Sequence, residues 1–160
     1  MRPKLRIHAE EIIKLGKEQA ANTDVEIGAV LTGEITDTHM HVSKLIPLGA
    51  GADPGSHSFV MDDKLAIKAS ELVRASGSEF IGMAHTHGPK VGLRTPSSAD
   101  IQAATKYPVC MLLKVYANGG GRFEFFTSTE RNCEAEIVGL DGKIYSNQST
   151  VPDSCWKQAA

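Results

Sequence analysis

Phe80-Ile81-Gly82-Met83-Ala84-His85-Thr86-His87 reads as a β-strand that ends in two histidines. Side chains alternate along a strand, so His85 and His87 point the same way and can face one metal ion. After a polar loop from Gly88 to Pro96, Ser97-Ser98-Ala99-Asp100 opens a helix running to about Lys106. Asp100, in its first turn, is the natural third ligand, with water in the fourth position. Two imidazoles and a carboxylate with one open position form the layout of a catalytic zinc site, and the donor set suits Zn²⁺ at one ion per chain. Each half alone is weak. Paired histidines at a strand end are often surface or satisfied core residues. S-x-x-D is also the pattern of a helix capping box, in which Ser97 caps and Asp100 reaches back. The two in this order are more specific.

Hydrolysis at such a metal needs a carboxylate to take a proton from water and pass it to the leaving group. The upstream stretch Glu26-Ile27-Gly28-Ala29-Val30-Leu31-Thr32-Gly33 supplies one. Glu26 opens an otherwise apolar strand, an unfavourable place for a charge without a partner or a task. A solvated strand-end glutamate is the plain alternative.

Outward from these segments the chain alternates helical and strand patterns. Helical spacing predicts a helix over about Ile7 to Ala21, a break at Asn22-Thr23-Asp24, and a strand from Val25 to Thr32. Gly33-Glu34 is expected to turn into a second strand, Thr38 to Pro47. Leu48 to His57 reads as a Gly-rich loop and Ser58 to Met61 as a short strand. Asp62 to Ala75 reads as a helix with Asp62 as N-cap and Gly77 as terminator. Val109 to Ala117 and Gly121 to Thr127 form a hairpin across Asn118-Gly119-Gly120. Ala135 to Leu140 and Lys143 to Tyr145 form a last one over Asp141-Gly142. The tail from Ser149 is expected to be loosely ordered, with Trp156 as an anchor. Strands interleaved with helices make the class α/β or α+β. One domain over residues 1–148 and a tail over 149–160 are expected.

The 160 residues carry a formal net charge of −2, so nothing basic points to nucleic acid. Cys110, Cys133 and Cys155 form no C-x-x-C pair and read as small apolar residues with reduced thiols. No stretch approaches the roughly 20 apolar residues of a membrane span. A soluble cytoplasmic protein with no membrane partner is the expectation. Its oligomeric state is left open. His39 and His41 repeat the H-x-H spacing without an accompanying carboxylate, and read as one exposed strand face.

Glu26 in E-x-G-x-x-L-x-G, then His85-x-His87, then Ser97-x-x-Asp100, resembles the JAMM motif of the MPN+ metalloproteases. The likeness covers roughly Ile7 to Tyr116, includes all four motif elements in order, and extends to Gly82 three residues before His85. It implies a cytidine-deaminase-like α/β sandwich, a mixed curved sheet with helices on its faces. It implies His85, His87 and Asp100 as zinc ligands, and Glu26 as the base that activates water and then protonates the leaving amine. Ser97 is implied as the donor to the oxyanion. The implied reaction is hydrolysis after the C-terminal glycine of ubiquitin or a ubiquitin-like protein. Processing of a sulfur-carrier protein of that kind, or a non-catalytic MPN-type scaffold, are the alternatives.

The chain departs from the family pattern in places. Gly88 stands where proline usually follows the second histidine, and Thr86 takes the place of the usual serine or asparagine. The loop to Pro96 is about two residues longer than usual for the family. Met83 occupies the position of a usual tryptophan. Thr95 to Ile101 is similar to the bacterial RadC-type branch. Leu48 to His57 lies where many deubiquitinases carry a substrate-binding insertion, so a flap and a plain surface loop are both open readings.

Overall fold

The computed structural model describes residues 4–21, 25–51, 61–88, 96–116 and 121–146. In chain order these form β1 (Lys4–His8), α1 (Ala9–Ala21), β2 (Ile27–Ile35), β3 (His39–Ala50), α2 (Asp63–Ser76), β4 (Glu79–His87) and α3 (Ser98–Ala103), which continues as a 3₁₀ turn over Ala104–Lys106. Then follow β5 (Val109–Val115), β6 (Gly121–Phe126), β7 (Ala135–Val138) and β8 (Ile144–Ser146). All the strands lie in one mixed sheet of order β6-β5-β4-β2-β3-β1-β7-β8. β4 runs parallel to β5, and β1 runs parallel to both β3 and β7. The architecture is the mixed α+β sandwich, a curled sheet flanked by helices, that the sequence led us to expect.

Strand alternation sorts the apolar residues onto two faces. Ile27, Ala29 and Leu31 of β2, with Met111 and Leu113 of β5, join the large core under α1, where Ile12, Ile13 and Leu15 are buried. Each of the Ile, Leu and Met side chains contributes about 1.5–3 kcal/mol on burial. Val30 and Met83 point the other way and pack with Ala69 of α2. Cys110, Leu112 and Phe126 pack beneath Ala104, just after α3.

β4 carries a bulge: Leu31 pairs with Gly82 and Thr32 with Phe80, which leaves Ile81 as the extra residue. The bulge turns Ile81 into the α1 core while Met83 faces α2. It brings Gly82 so close to β5 that an added Cβ would lie 1.7 Å from the Val109 carbonyl oxygen. No other residue fits there. The glycine three residues before His85 is therefore a packing requirement of the contact with β5.

Several sequence expectations need correction. The segment before the first helix is a strand, β1, and the helix begins at Ala9, not near Ile7. Gly33-Glu34 is not a turn. β2 runs on to Ile35, with a register shift between Thr32 and Gly33, and the reversal comes at Thr36 to Thr38. There the Thr36 hydroxyl oxygen accepts from the backbone N–H of Thr38 (3.3 Å) and His39 (2.9 Å). β3 extends to Ala50, past Pro47, so Leu48 to Ala50 belong to the strand. Met61 is not in a strand.

α2 matches its prediction. Asp62 Oδ1 accepts from Leu65 N at 2.9 Å, and Gly77 closes the helix at φ 68°. Residues 52–57 of the expected loop, residues 58–60, the 117–120 turn and the 147–160 tail with Cys155 and Trp156 lie outside the described residues. Cys110 is buried with a free thiol, and Cys133 is half-buried. Among the described residues no helix is long and apolar enough to cross a membrane.

Candidate metal centre

β2 and β4 are antiparallel neighbours, with Gly28 opposite His85 and Ala29 opposite Ala84. Continuing that register places Glu26 across from His87, on the face opposite the α1 core. The side chains meet: His87 Nε2 lies 3.0 Å from Glu26 Oε1, and both residues are buried, at 3% and 6% exposure. The glutamate read from sequence as a charge in need of a partner has one. His85 lies one pleat back on the same face. Its ring centroid is 5.3 Å from that of His87, with the planes at 65°.

Asp100 closes the group from α3. Its Oδ2 is 3.3 Å from His85 Nε2 and 3.8 Å from His87 Nε2. The capping box considered as the plain reading of S-x-x-D is also present. Ser97 Oγ accepts from Asp100 N at 3.1 Å, and Asp100 Oδ2 accepts from Ser97 N at 2.8 Å. The structural and functional readings are therefore not rivals. The cap fixes the rotamer that aims the carboxylate at the histidines.

Burial pushes the Asp100 carboxyl up, but His85 and the Ser97 hydrogen bonds outweigh it and hold the group at about 2. Asp100 is thus a carboxylate throughout the neutral range. With its oxygen already accepting from Asp100 N, Ser97 keeps its own hydroxyl proton uncommitted among the described residues.

Whether the set fits a metal is answered by the atoms left over. His85 Nε2 and Glu26 Oε2 are buried and have no hydrogen-bond partner; the 3.3 Å contact to Asp100 is not aligned as a bond. Glu26, His85 and His87 each offer one ligand atom, all within 4.8 Å of one another. A buried lone pair with no donor is unfavourable by about 1–3 kcal/mol, and a divalent cation removes that penalty. Imidazole nitrogens and carboxylate oxygens are the donors that zinc takes. The residues fit. Glu26 and Asp100 both approach the imidazoles, Glu26 at His87 and Asp100 nearer His85.

Sequence reading gave no structural role to three residues here. Thr86, between the histidines, points into the α1 side and is fully buried, as is Gln19 of α1. Gln19 lies at i+7 from Ile12, within the apolar stripe of its helix, and a polar residue in such a stripe is the signal that could have found it. Lys114 sits inside the apolar run of β5, in register with His87, and is buried. Its Nζ donates to Gly88 O at 2.6 Å and so ties down the first residue after the histidines. That anchor stands at the position where the family pattern has proline. Beyond Gly88, residues 89–95 of the loop lie outside the described residues.

His57, at the end of the 48–57 segment, lies outside the described residues. His39 and His41 are half-buried and not exposed, because β1 covers the far edge of β3. Along the face that carries the centre, a cavity of about 460 Å³ opens between α2 and β4, lined in part by Met61, Ala69, Val73, Phe80, Met83 and Tyr107.

A family model described as prokaryotic homologs of the JAB domain matches residues 8–139. No curated protein matches the sequence. Among solved structures, the protein DSY2949 of Desulfitobacterium hafniense is similar at 18% identity and TM-score 0.56, over 89% of this chain and 88% of that one. AF2198, a JAB1/MPN domain protein from Archaeoglobus fulgidus, is similar at 16% identity and TM-score 0.54, over 82% of this chain and 97% of that one. A third structure, described as a metalloprotease-like zinc site in the proteasome and signalosome, reaches TM-score 0.49 at 14% identity over 84% and 98% of the two chains. The shared fold rests on the first two.

Proposed function

The chain belongs to the prokaryotic JAB-domain family, and on that premise we propose that it is a zinc-dependent peptidase or isopeptidase. Its substrate in this reading is ubiquitin or a ubiquitin-like protein, cut after the C-terminal glycine. One observation carries the reading. Two imidazoles and two carboxylates converge on one buried spot, and His85 Nε2 and Glu26 Oε2 there lack partners. A scaffold needs none of these. The substrate class is supported by the resemblance of the motif to that of the MPN+ proteases. The free thiol of Cys110 fits work in the reducing cytoplasm.

His85, His87 and Asp100 would hold the ion. A zinc ion there supplies Lewis acidity, which acidifies a water and polarises a carbonyl. The protein's own residues do the rest. Glu26 lies against His87 at the edge of the ligand set, and its Oε2, which has no hydrogen-bond partner, accepts the proton of the attacking water. The protonated Glu26 then gives that proton to the departing amine nitrogen as the C–N bond breaks. Ser97 turns its uncommitted O–H toward the oxygen on which negative charge develops. The capping box keeps that serine and Asp100 in fixed register, so the donor and the ligand set move as one unit.

The test is direct. Zinc-loaded protein is incubated with ubiquitin chains and with linear fusions to native ubiquitin-like and sulfur-carrier proteins, beside the Glu26→Gln variant. Cleavage after the terminal glycine by wild type alone is the expected result, and the cleaved fusion separates the isopeptidase from a carrier-processing enzyme. A zinc-loaded protein that cuts none of them is a scaffold or acts on another substrate, and the proposal fails.

A further inference from the structure

The catalytic glutamate of this reading sits just before β2, outside the sheet's own ladder, yet it is buried and in contact with His87. Something must hold it there. Thr86 projects away from the two histidines into the α1 side. Its hydroxyl oxygen accepts from Ile27 N at 3.0 Å. With Ile27 as donor, the hydroxyl's own proton goes elsewhere, and the Gln19 side-chain oxygen is in close contact to take it. Ile27 O is a longer alternative at 3.4 Å.

The Gln19 amide is thereby oriented with its oxygen on Thr86 and its NH₂ outward. That NH₂ donates to Val25 O at 3.0 Å. Val25 and Ile27 flank Glu26, so the backbone on each side of the glutamate is tied to the same two side chains. Both are fully buried. The Thr86 bonds to Ile27 and Gln19 are sealed from water and therefore firm, because no solvent competes for either partner, while the Gln19 bond to Val25 is part-buried.

We propose that Gln19 and Thr86 are positioning residues, a two-residue lock that holds Glu26 over the metal centre from the opposite face of the sheet. The inference rests on the proposed hydrolytic role of Glu26. One turn of α1 thereby sets the placement of the proton carrier, while the ligands on β4 and α3 depend on other contacts. The hydroxyl is what the lock requires of residue 86: serine and threonine both supply it, whereas valine has the shape without the group.

The test compares Thr86→Val, Thr86→Ser and Gln19→Met in zinc-loaded full chain, with folding checked by circular dichroism and Tm. Zinc affinity is read by chelator competition, and kcat and KM on a cleavable modifier fusion. Metal-free crystals of each variant give the Glu26–His87 separation. Thr86→Val and Gln19→Met are expected to lose about 10- to 100-fold in kcat with KM and zinc affinity unchanged, the scale of a misplaced catalytic group. Thr86→Ser is expected to behave as wild type, and in Thr86→Val crystals Glu26 should leave its 3.0 Å contact with His87.

Unchanged kcat in both lock variants overturns the proposal. So does a Thr86→Ser protein as slow as Thr86→Val, which would make packing the cause, or a loss of zinc in step with kcat. If Thr86→Val does not fold, Gln19→Met decides alone. If wild type cleaves nothing, the hydrolytic reading has failed and the crystals decide the lock. Glu26 displaced in Thr86→Val and Gln19→Met but not in Thr86→Ser sustains it, and an unmoved Glu26 sinks it.

Discussion

The chain holds two H-x-H pairs on neighbouring parts of one sheet, and only one of them is built as a centre. His85 and His87 face carboxylates: Glu26 at 3.0 Å across the strand pair, and Asp100 at 3.3 and 3.8 Å from the following helix. His39 and His41 on β3 face cations and another imidazole. The His41 ring stacks 5.1 Å from that of His8, and Arg6 reaches to 3.3 Å from His39 Nε2. Two carboxylates stand in that region, but Glu136, 3.9 Å from His39 Nε2, already accepts from Arg6 at 2.6 and 2.9 Å, and Glu34, opposite His41 on β2, is exposed. Burial, then the nearby His8 and Arg6, hold His41 below the usual imidazole range. The spacing is the same in both pairs. What differs is the company that pairing with a neighbouring strand and the next helix brings, so a motif of this kind is read from its partners.

Exchanging the members of the two pairs sets the contrast at its widest. His85→Ala and Asp100→Ala should each drop the zinc content from about one ion per chain to near none and abolish hydrolysis. His39→Ala and His41→Ala should keep both, as measured by elemental analysis of dialysed protein. Equal loss from either pair would erase the distinction. Within the first pair's surroundings, Glu26→Gln should keep the metal and lower kcat by about 10²- to 10⁴-fold. A variant as fast as wild type would remove Glu26 from the chemistry.

Ser97→Ala strikes two roles together. Loss of the oxyanion donor should lower kcat by about 10²- to 10³-fold. Loss of the cap should cost about 1 kcal/mol, a drop in Tm of about 2–4 °C. Ser97→Thr, which keeps hydroxyl and cap, should restore both.

The smallest effect belongs to the second pair. A histidine whose folded pKa is depressed leaves stability intact above its unfolded pKa of 6.5 and withdraws it as pH falls below that value. The wild-type Tm should therefore decline below about pH 6.5, and His41→Asn should flatten that limb. An unchanged acid limb would show that other groups carry it.

Much of the centre was legible because its chemistry is local. Glu26, His85, His87, Ser97 and Asp100 each stand at an element end with a recognisable spacing, and the structure places them on one face of the sheet and the start of α3. The helix α2 was legible to its caps at Asp62 and Gly77. What stayed hidden depends on distant partners. Lys4 to His8 alternates over only five residues, too few to separate from the helix that follows, and it becomes a strand because β3 and β7 flank it. Gly33 resembled a turn, but its missing side chain admits the His41 carbonyl, 1.8 Å from where a Cβ would be. Gln19 was camouflaged on an apolar helix stripe and Lys114 in an apolar strand run. Their meaning lies in the Thr86 hydroxyl and the Gly88 carbonyl, which come to them only in three dimensions.

The seating of β1 between β3 and β7 bears on how the molecule assembles. Leu5 pairs with Ala135, the greatest sequence separation among the strand pairings, while the neighbours of the metal centre are joined over much shorter spans. Closing a long loop is slow and entropically unfavourable. During synthesis, β1 can dock on β3 early, but its other edge has no partner until the last hairpin emerges. In that interval an unpaired edge strand is open to wrong pairing with a second chain. Arg6 and its basic neighbour Lys4 lie along that edge, and charge on an edge strand opposes such pairing until Glu136 arrives to meet them.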